Sequence, residues 1–272
     1  MAYKVVDIYK DLPRTNCGDC GRGGCFAFAS AVYLEAFPLA RCPHLTTEQL
    51  GEMEGKLASG RAAGEGRKPA SSEQALRALC KTMEGVDLAV QAQRSGGVLA
   101  ADRAAVELRF LDARYRAGRD DVVAEGGAEP TIWVKIFLLI YLTRASGRRP
   151  SGEWVAYREL PNTVSKSKSF EACGARIAAQ FDGDRAGLEQ AARRLDGEPT
   201  VFGSAPVCYR FQALPRVPLL LLFWDREEEF PARASLLLDR QVLDYLDQEA
   251  LVFLAEAFAS RLLGEDLSGV AA

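Results

Sequence analysis

Residues 16–45 read NCGDCGRGGCFAFASAVYLEAFPLARCPHL and hold four of the seven cysteines of this 272-residue chain. The four cysteines have the spacing C-x2-C-x4-C-x16-C, and a proline directly follows the last one. Three ligands from one loop, with a distant fourth followed by proline, are typical of iron-sulfur clusters. The spacing therefore favours one 4Fe-4S cluster, held by Cys17, Cys20, Cys25 and Cys42.

The residues between the cysteines suit such a cluster. A cluster with net negative charge needs backbone N–H groups directed at its sulfides, and the glycines of this loop let the chain wrap tightly enough. The stretch FAFASAVYLEAF (26–37) predicts a short buried helix, which Pro38 would end so that the chain can return to Cys42. A zinc ion held by the same four thiolates is the alternative, although zinc sites usually pair two C-x2-C motifs and this chain has one.

Composition limits the other possibilities. The chain is 48% hydrophobic and 26% charged, as folded globular proteins are, and its formal net charge of −3 gives no attraction to nucleic acid or anionic membranes. The N-terminus lacks a signal-peptide pattern and the cysteine count is odd, so we expect reduced thiols and a cytoplasmic location. The apolar segments 131–142 and 217–224 are too short to cross a bilayer and predict core elements.

The chain changes character at ASGRAAGEGRKPASS (58–72), which predicts a linker. We therefore expect a cluster-binding module at 1–57 and a larger domain at 73–265. In the module, Thr46 and Gln49 have the spacing of a capping box for a second helix.

The larger domain has strands in runs, with helices before and after them. Segments 71–85, 131–144, 169–181, 185–197 and 242–263 predict helices, whereas 106–118, 153–160, 207–214, 217–225 and 232–239 predict strands. This order predicts an α+β fold, a small helical module followed by a mixed domain, rather than a regular βαβ array.

DIYKDLPRTNCGDCG (7–21) through ARCP (40–43) resembles the 4Fe-4S domain of the large subunit of the corrinoid iron-sulfur protein of the acetyl-CoA pathway. The resemblance covers residues 1–50 and includes Asp7, Leu12, Pro13, Asn16 and all four cysteines. It implies a low-potential cluster that delivers one electron to a cobalt cofactor. The corrinoid-binding barrel of that family is absent, and Arg22-Gly23-Gly24 stand where relatives often carry a proline or an apolar residue.

Residues 80–265 are similar to an uncharacterised domain that follows such cluster modules in anaerobic bacteria. The similar segments are GEWVAYRELPN, LPRVPLLLLFWDREEEFPARASLLLD and YLDQE. This resemblance implies an anaerobic host and brings no known activity with it.

Other residues with functional chemistry have simpler structural interpretations. The single histidine, His44, is two residues after Cys42; it is a candidate hydrogen-bond donor to the cluster, but a surface position is the favoured interpretation. Cysteines that occur singly are usually buried structural residues, and this describes Cys80, Cys173 and Cys208.

Acidic and basic residues near predicted element ends are further candidates. Acidic turns at strand ends are common, so catalysis is not the favoured interpretation of Asp225, the glutamates 227–229 or Asp239. Lys166 and Lys168 precede a predicted helix that could bind an anion, and a solvated loop is favoured there. No catalytic triad can be assembled, and whether the chain is an enzyme stays open.

We therefore expect one-electron transfer from a 4Fe-4S cluster to a partner protein, either a corrinoid protein or another metalloenzyme. The alternative is a binding or sensing protein in which the four-cysteine site, with 4Fe-4S or zinc, is structural. A third hypothesis makes the larger domain an enzyme that uses the cluster, and a pocket beside Asp225 or Asp239 would favour it.

Overall fold

The computed structural model describes Tyr3 and residues 5–22, 24–34, 37–62 and 71–270. The chain divides into two compact units, Met1–Gln74 and Ala75–Ala272. Residues 63–70 of the predicted linker lie outside the described residues, so the linker at 58–72 stays a prediction. The α+β prediction is confirmed: the described part of the first unit is helical, and the second unit contains two antiparallel sheets.

The described part of the first unit has three complete helices and a small apolar core that includes Ile8, Phe28 and Met53. The predicted capping box is confirmed, because Thr46 N donates to Gln49 Oε1 at 2.9 Å and Gln49 N donates to Thr46 Oγ1 at 3.2 Å. The first helix was not predicted, since seven residues with one fully buried side chain leave little periodic signal. The helices are α1 (Val5–Asp11), α2 (Cys25–Leu34) and α3 (Thr47–Ala62), with one 3₁₀ turn at Leu39–Arg41.

The first sheet of the second unit is built around a hairpin. The prediction of one strand over 106–118 is wrong, because the chain reverses at Leu111 and Asp112, with Leu111 at a φ of +52°. The alternating burial of Val106, Leu108 and Phe110 is as predicted. The alternation changes phase at Phe110 and Leu111, two adjacent buried residues, but the turn contains no glycine to mark it in the sequence. In spatial order, the strands are β1 (Val98–Leu99), β2 (Ala105–Phe110), β3 (Ala113–Gly118) and β4 (Val122–Ala124).

The second sheet has its most apolar strand in the middle. Seven of the eight residues of VPLLLLFW are buried, because this strand is covered on both faces of the sheet. Leu221 lies opposite Tyr209 on one neighbouring strand and Leu236 on the other. The strands are β5 (Trp154–Ala156), β6 (Glu198–Pro199), β7 (Val207–Leu214), β8 (Val217–Trp224) and β9 (Arg233–Asp239), in the spatial order β5-β9-β8-β7-β6.

Two apolar helices fill the core of the second unit, where the Phe137 and Phe253 rings have centroids 5.0 Å apart. The last helix begins at Gln248 rather than at the predicted residue 242, because Asp247 Oδ1 accepts the Ala250 N–H at 2.9 Å and caps it there. The helices are α4 (Ser71–Glu84), α5 (Leu88–Ser95), α6 (Ile132–Arg144), α7 (Ser167–Gln180), α8 (Arg185–Arg194) and α9 (Gln248–Leu262).

The two most apolar segments are core elements, as predicted. Segment 131–142 supplies most of α6, which Thr131 caps at its start, and segment 217–224 is β8. In the described parts of the chain, no helix has both the length and the apolar character needed to cross a membrane.

Candidate metal centre

The loop before α2 turns tightly between its first two cysteines. Gly18 and Gly21 have φ values of +80° and +79°, in the left-handed region that glycine adopts without steric cost. The Gly21 N–H donates to the Gly18 carbonyl oxygen at 2.8 Å and closes the turn. Cys17 and Cys20 therefore stand on a closed loop whose shape depends on glycine.

Asn16 joins this loop to the start of α2. The Cys25 N–H donates to Asn16 Oδ1 at 2.9 Å, and the Asn16 N–H lies 3.4 Å from Cys25 Sγ. Cys25 is the first residue of α2, so the carboxamide of Asn16 satisfies one of the free N–H groups at the helix start. The same contact places the Cys25 sulfur at the positive end of the helix dipole, where negative charge is stabilised.

The four predicted ligands differ in how deeply they are buried in the first unit. Cys25 and Cys42 are each 8% exposed and belong to the same apolar cluster as Phe28. Cys20 is half-buried and Cys17 is exposed. A group bound by all four would be covered on the Cys25 and Cys42 side and open on the Cys17 side.

The pKa of Cys42 is affected by the other three cysteines of the motif. Burial raises this pKa most, the His44 backbone N–H lowers it, and the charges of Cys20, Cys25 and Cys17 raise it further. Thiolates repel each other, so four of them in one place require a cation to be stable together. All four are free thiols, without disulfide bonds.

The four thiols of the first unit are a donor set for soft metals. Soft thiolate ligands suit both zinc and iron-sulfur clusters, so these residues fit either group. Among the described residues, Cys17, Asp19 and His44 form the one set of three or more metal-ligand atoms that lie within 4.8 Å of one another.

Asp19 and His44 border the centre on its exposed side. His44 Nε2 lies 2.7 Å from Asp19 Oδ2, so the ring contacts the cysteine loop instead of pointing freely into solvent. Hydrogen bonds from His44 and then from Cys17 lower the pKa of the Asp19 carboxyl. The interpretation of His44 as a plain surface residue was therefore incomplete. Asp19 was missed, although the aspartate between two loop cysteines and the single histidine beside the fourth are both visible in the sequence.

Arg22, where the loop departs from the pattern of the resembling family, lies over an aromatic ring. Its guanidinium carbon is 4.5 Å from the centre of the Phe37 ring. Such a cation–π contact at an exposed position contributes about 0.5–1 kcal/mol. The arginine thus helps to hold the cysteine loop against the segment that leads back to Cys42.

Both units match known protein families. A family model described as "Domain of unknown function (DUF3786)" matches residues 87–261, more than half of the chain. The chain belongs to this family. A second family model, described as "Putative Fe-S cluster", matches residues 12–44, which contain all four cysteines. Both resemblances inferred from the sequence are confirmed.

The curated relatives match a short part of the chain. The gamma subunit of the acetyl-CoA decarbonylase/synthase complex of Methanothermobacter thermautotrophicus is 36% identical over 58 residues, 21% of this chain and 13% of that subunit. The gamma 2 subunit of the same complex of Methanosarcina thermophila is 41% identical over 58 residues, 20% of this chain and 12% of that subunit. The match therefore spans a small part of these relatives, and it supports iron-sulfur binding by the first unit. No solved structure matches the chain.

The single cysteines of the second unit are structural in this fold. Cys173 and Cys208 are buried, and burial raises the pKa of Cys173 to about 12. Cys80 is half-buried, with its thiol 3.4 Å from the Asp120 carbonyl oxygen. A thiol with a raised pKa is a poor nucleophile at neutral pH. Within the described part of the chain, these cysteines belong to no cluster of three potential ligands.

The acidic candidates of the DUF3786 domain stabilise loops. Asp239 is 2% exposed, and its carboxylate accepts hydrogen bonds from Ser151, Gly152 and Gln241. Asp225 Oδ1 accepts the N–H of Gly183 at 2.8 Å. A carboxylate whose lone pairs are used by backbone donors has little capacity left for proton transfer.

A hollow of about 480 Å³ opens elsewhere in the domain, beside Cys173, Arg176 and Glu256. Burial raises the pKa of the Glu256 carboxyl. Neither Asp225 nor Asp239 lines this hollow, so it does not give the support that the enzyme hypothesis required.

Of the two candidate lysines, Lys166 ends the turn before α7 and Lys168 lies within the first turn of the helix. Lys166 Nζ pairs with Glu249 Oε2 at 2.8 Å. This contact directs the lysine toward α9 rather than toward an anion at the start of α7. The solvated-loop interpretation was wrong in detail, because residues 164–166 form a 3₁₀ turn that leads directly into the helix.

Proposed function

We propose that the chain is a 4Fe-4S protein that transfers one electron to a partner protein, with Cys17, Cys20, Cys25 and Cys42 as ligands of one cluster. The observation that carries the proposal is the set of four free thiols in the small first unit, three of them on the loop and helix start at 17–25 and the fourth at Cys42. The iron-sulfur family match over the same residues supports it. When bound, such a cluster supplies one-electron chemistry in a range of potentials that the protein tunes.

The residues around the thiols have separate tasks in this proposal. Asn16 and the N-terminus of α2 hold the Cys25 sulfur where backbone N–H groups and the helix dipole stabilise negative charge. The apolar core around Cys25 and Cys42 keeps water from that side of the centre. Shielding from water and hydrogen bonds to the sulfurs are the main means by which a protein tunes a cluster.

The partner would approach on the side of Cys17. That cysteine is exposed, whereas Cys25 and Cys42 lie in the core, so Cys17 offers the shortest path from the centre to the surface. The relatives belong to the acetyl-CoA decarbonylase/synthase complex, which supports a metalloprotein as the partner, including a corrinoid protein. In this proposal the protein works in the cytoplasm of an anaerobic host, and the DUF3786 domain positions the cluster against the partner.

The direct test is metal and sulfide analysis of anaerobically purified protein, with EPR spectra before and after dithionite. We expect about four irons per chain, as a cubane cluster requires, and a spin-half signal that appears on reduction. Cys25→Ala should lose the signal. Cys80→Ala, which removes a half-buried cysteine remote in sequence from the motif, is the matched control and should keep it. Protein with zinc and without iron would refute the proposal.

A structural role for the metal is the second candidate, because two of the proposed ligands, Cys25 and Cys42, are themselves part of the small core of the first unit. Small modules often depend on a metal for folding. In that case, the chain is a binding or sensing protein, and chelation melts α2 without any redox step. Reversible reduction of the cluster with unchanged helix content would exclude this candidate.

A further inference from the structure

Three side chains with metal-binding atoms meet at the exposed edge of the centre. The Cys17 sulfur, an Asp19 carboxylate oxygen and a His44 ring nitrogen all lie within 4.8 Å of one another. Atoms this close can bind one and the same metal ion, since ligands of a tetrahedral ion are separated by less than this distance. His44 and Asp19 are not among the four cysteine ligands proposed above.

We propose that His44 is a fifth ligand of the metal centre, able to take the position of Cys17. The inference rests on the proposed metal site, and it concerns one corner of that site. In the exchange, the Nε2 proton passes through Asp19 to the departing Cys17 sulfur, Nδ1 takes up a proton from water, and the freed Nε2 lone pair binds the metal. One metal–sulfur bond is thus replaced by one metal–nitrogen bond, with the uptake of one proton. No electron is transferred, and the site loses one negative charge.

The backbone already holds His44 at the centre. Its N–H bonds to the Cys42 sulfur, which is one of the effects that lower the pKa of Cys42. Its ring contacts Asp19, which precedes α2 in the chain, whereas His44 follows it. The backbone of His44 therefore contacts Cys42, and its ring lies beside Cys17. A short movement of the exposed ring brings its nitrogen to the metal.

Asp19 is the positioning residue for this exchange. Its carboxylate accepts from the imidazole at 2.7 Å and also bonds to the Cys17 thiol, so it keeps both competing ligands at the same corner. The side chains of His44 and Asp19 are 44% and 51% exposed, which leaves the ring room to turn. Cys25 and Cys42 are buried among apolar side chains and lack such a neighbour pair within the described residues.

An imidazole at this corner is chemically compatible with either metal. Histidine replaces cysteine in some iron-sulfur clusters, where it raises the reduction potential because a neutral ligand replaces an anionic one. Three cysteines and one histidine also form a common structural zinc site. The exchange would thus give the protein a second, higher-potential form of the centre without loss of metal.

The test uses the full chain, reconstituted anaerobically with iron and sulfide, and compares Cys17→Ala, Cys25→Ala, His44→Ala and the double variant C17A/H44A. We expect C17A to keep about four irons and to show nitrogen coupling in the pulsed EPR spectrum of the reduced protein, a coupling that wild type lacks. C25A and C17A/H44A should lose at least one iron in four. H44A alone should keep the full complement, because Cys17 is then present.

The outcomes separate this inference from the proposed function. If wild type binds four irons but C17A loses iron as readily as C25A does, or keeps it without nitrogen coupling, His44 is not a ligand and the inference fails alone. If wild type binds zinc and no iron, the 4Fe-4S proposal fails, and Co²⁺ is then the probe for the same variants. In that case, C17A should bind Co²⁺ within about tenfold of wild type and C17A/H44A at least about 100-fold more weakly, as expected for a site that loses a ligand; equal weakening would overturn the inference.

Discussion

Replacement of Asn16 by alanine should loosen the start of α2. The carboxamide of Asn16 accepts the Cys25 N–H at 2.9 Å and thereby acts as the cap of this helix from outside it. Loss of a capping side chain costs about 1 kcal/mol. Asn16 also has a φ of +51°, a left-handed conformation that costs alanine about 1 kcal/mol more than asparagine.

The two effects add to about 2 kcal/mol, which is roughly a 30-fold increase in the population of molecules with α2 open. Hydrogen–deuterium exchange of peptides from 25–33, followed by mass spectrometry, measures this population directly. Asn16→Gly is the matched control, because glycine removes the cap but tolerates the left-handed conformation. It should show only about half of the loss in free energy.

Two results would refute this reasoning. Exchange of α2 in N16A at the wild-type rate would mean that the Asn16–Cys25 contact does not hold the helix start. Equal effects of N16G and N16A would mean that the left-handed backbone at this position contributes nothing.

Three further predictions concern the second unit, measured by urea unfolding. Gly174→Ala would place a methyl group 2.6 Å from the Ala234 carbonyl oxygen, so α7 must shift from β9, at a cost of about 1–3 kcal/mol. Asp239→Ala leaves several donors without their buried acceptor and should cost about 3 kcal/mol. Burial raises the pKa of Asp112, whereas the hydrogen bond and charge of Arg261 lower it. The lowering is larger, so the net shift of the pKa is downward. Stability from this pair is therefore complete above about pH 4 and is lost as the pH falls through the folded-state pKa, and Asp112→Asn should flatten the acid limb of the stability curve.

Each of these has a control. Gly51→Ala, in α3, meets no atom within 4 Å and should not destabilise the protein; a loss equal to that of G174A would contradict the steric argument. Asp239→Asn keeps one acceptor oxygen and should lose less than D239A. If D112N and wild type lose stability in parallel between pH 5 and pH 2, the pair contributes nothing to acid unfolding.

Short-range patterns allowed much of the fold to be predicted. The capping box of Thr46 and Gln49 and the uniformly apolar segments of α6 and β8 depend on neighbouring residues, so the sequence alone indicates them. The hairpin at Leu111 was missed, because its two-residue turn has no glycine and is marked only by two adjacent apolar residues, Phe110 and Leu111. The start of α9 was misplaced, since the cap at Asp247 acts only after the preceding 3₁₀ turn has formed.

For the proposed metal centre, the sequence by itself determined which thiols are candidate ligands and how they are spaced along the chain. Cysteine spacing, glycines and a proline are local properties, and they limit the chemistry to soft metals. Only the tertiary structure decided which sulfurs are buried and which is exposed, and that Asp19 and His44, separated by α2, meet beside Cys17. The physical reason is that burial and contact across many residues depend on how helices pack, and packing energy is distributed over side chains that no single motif contains.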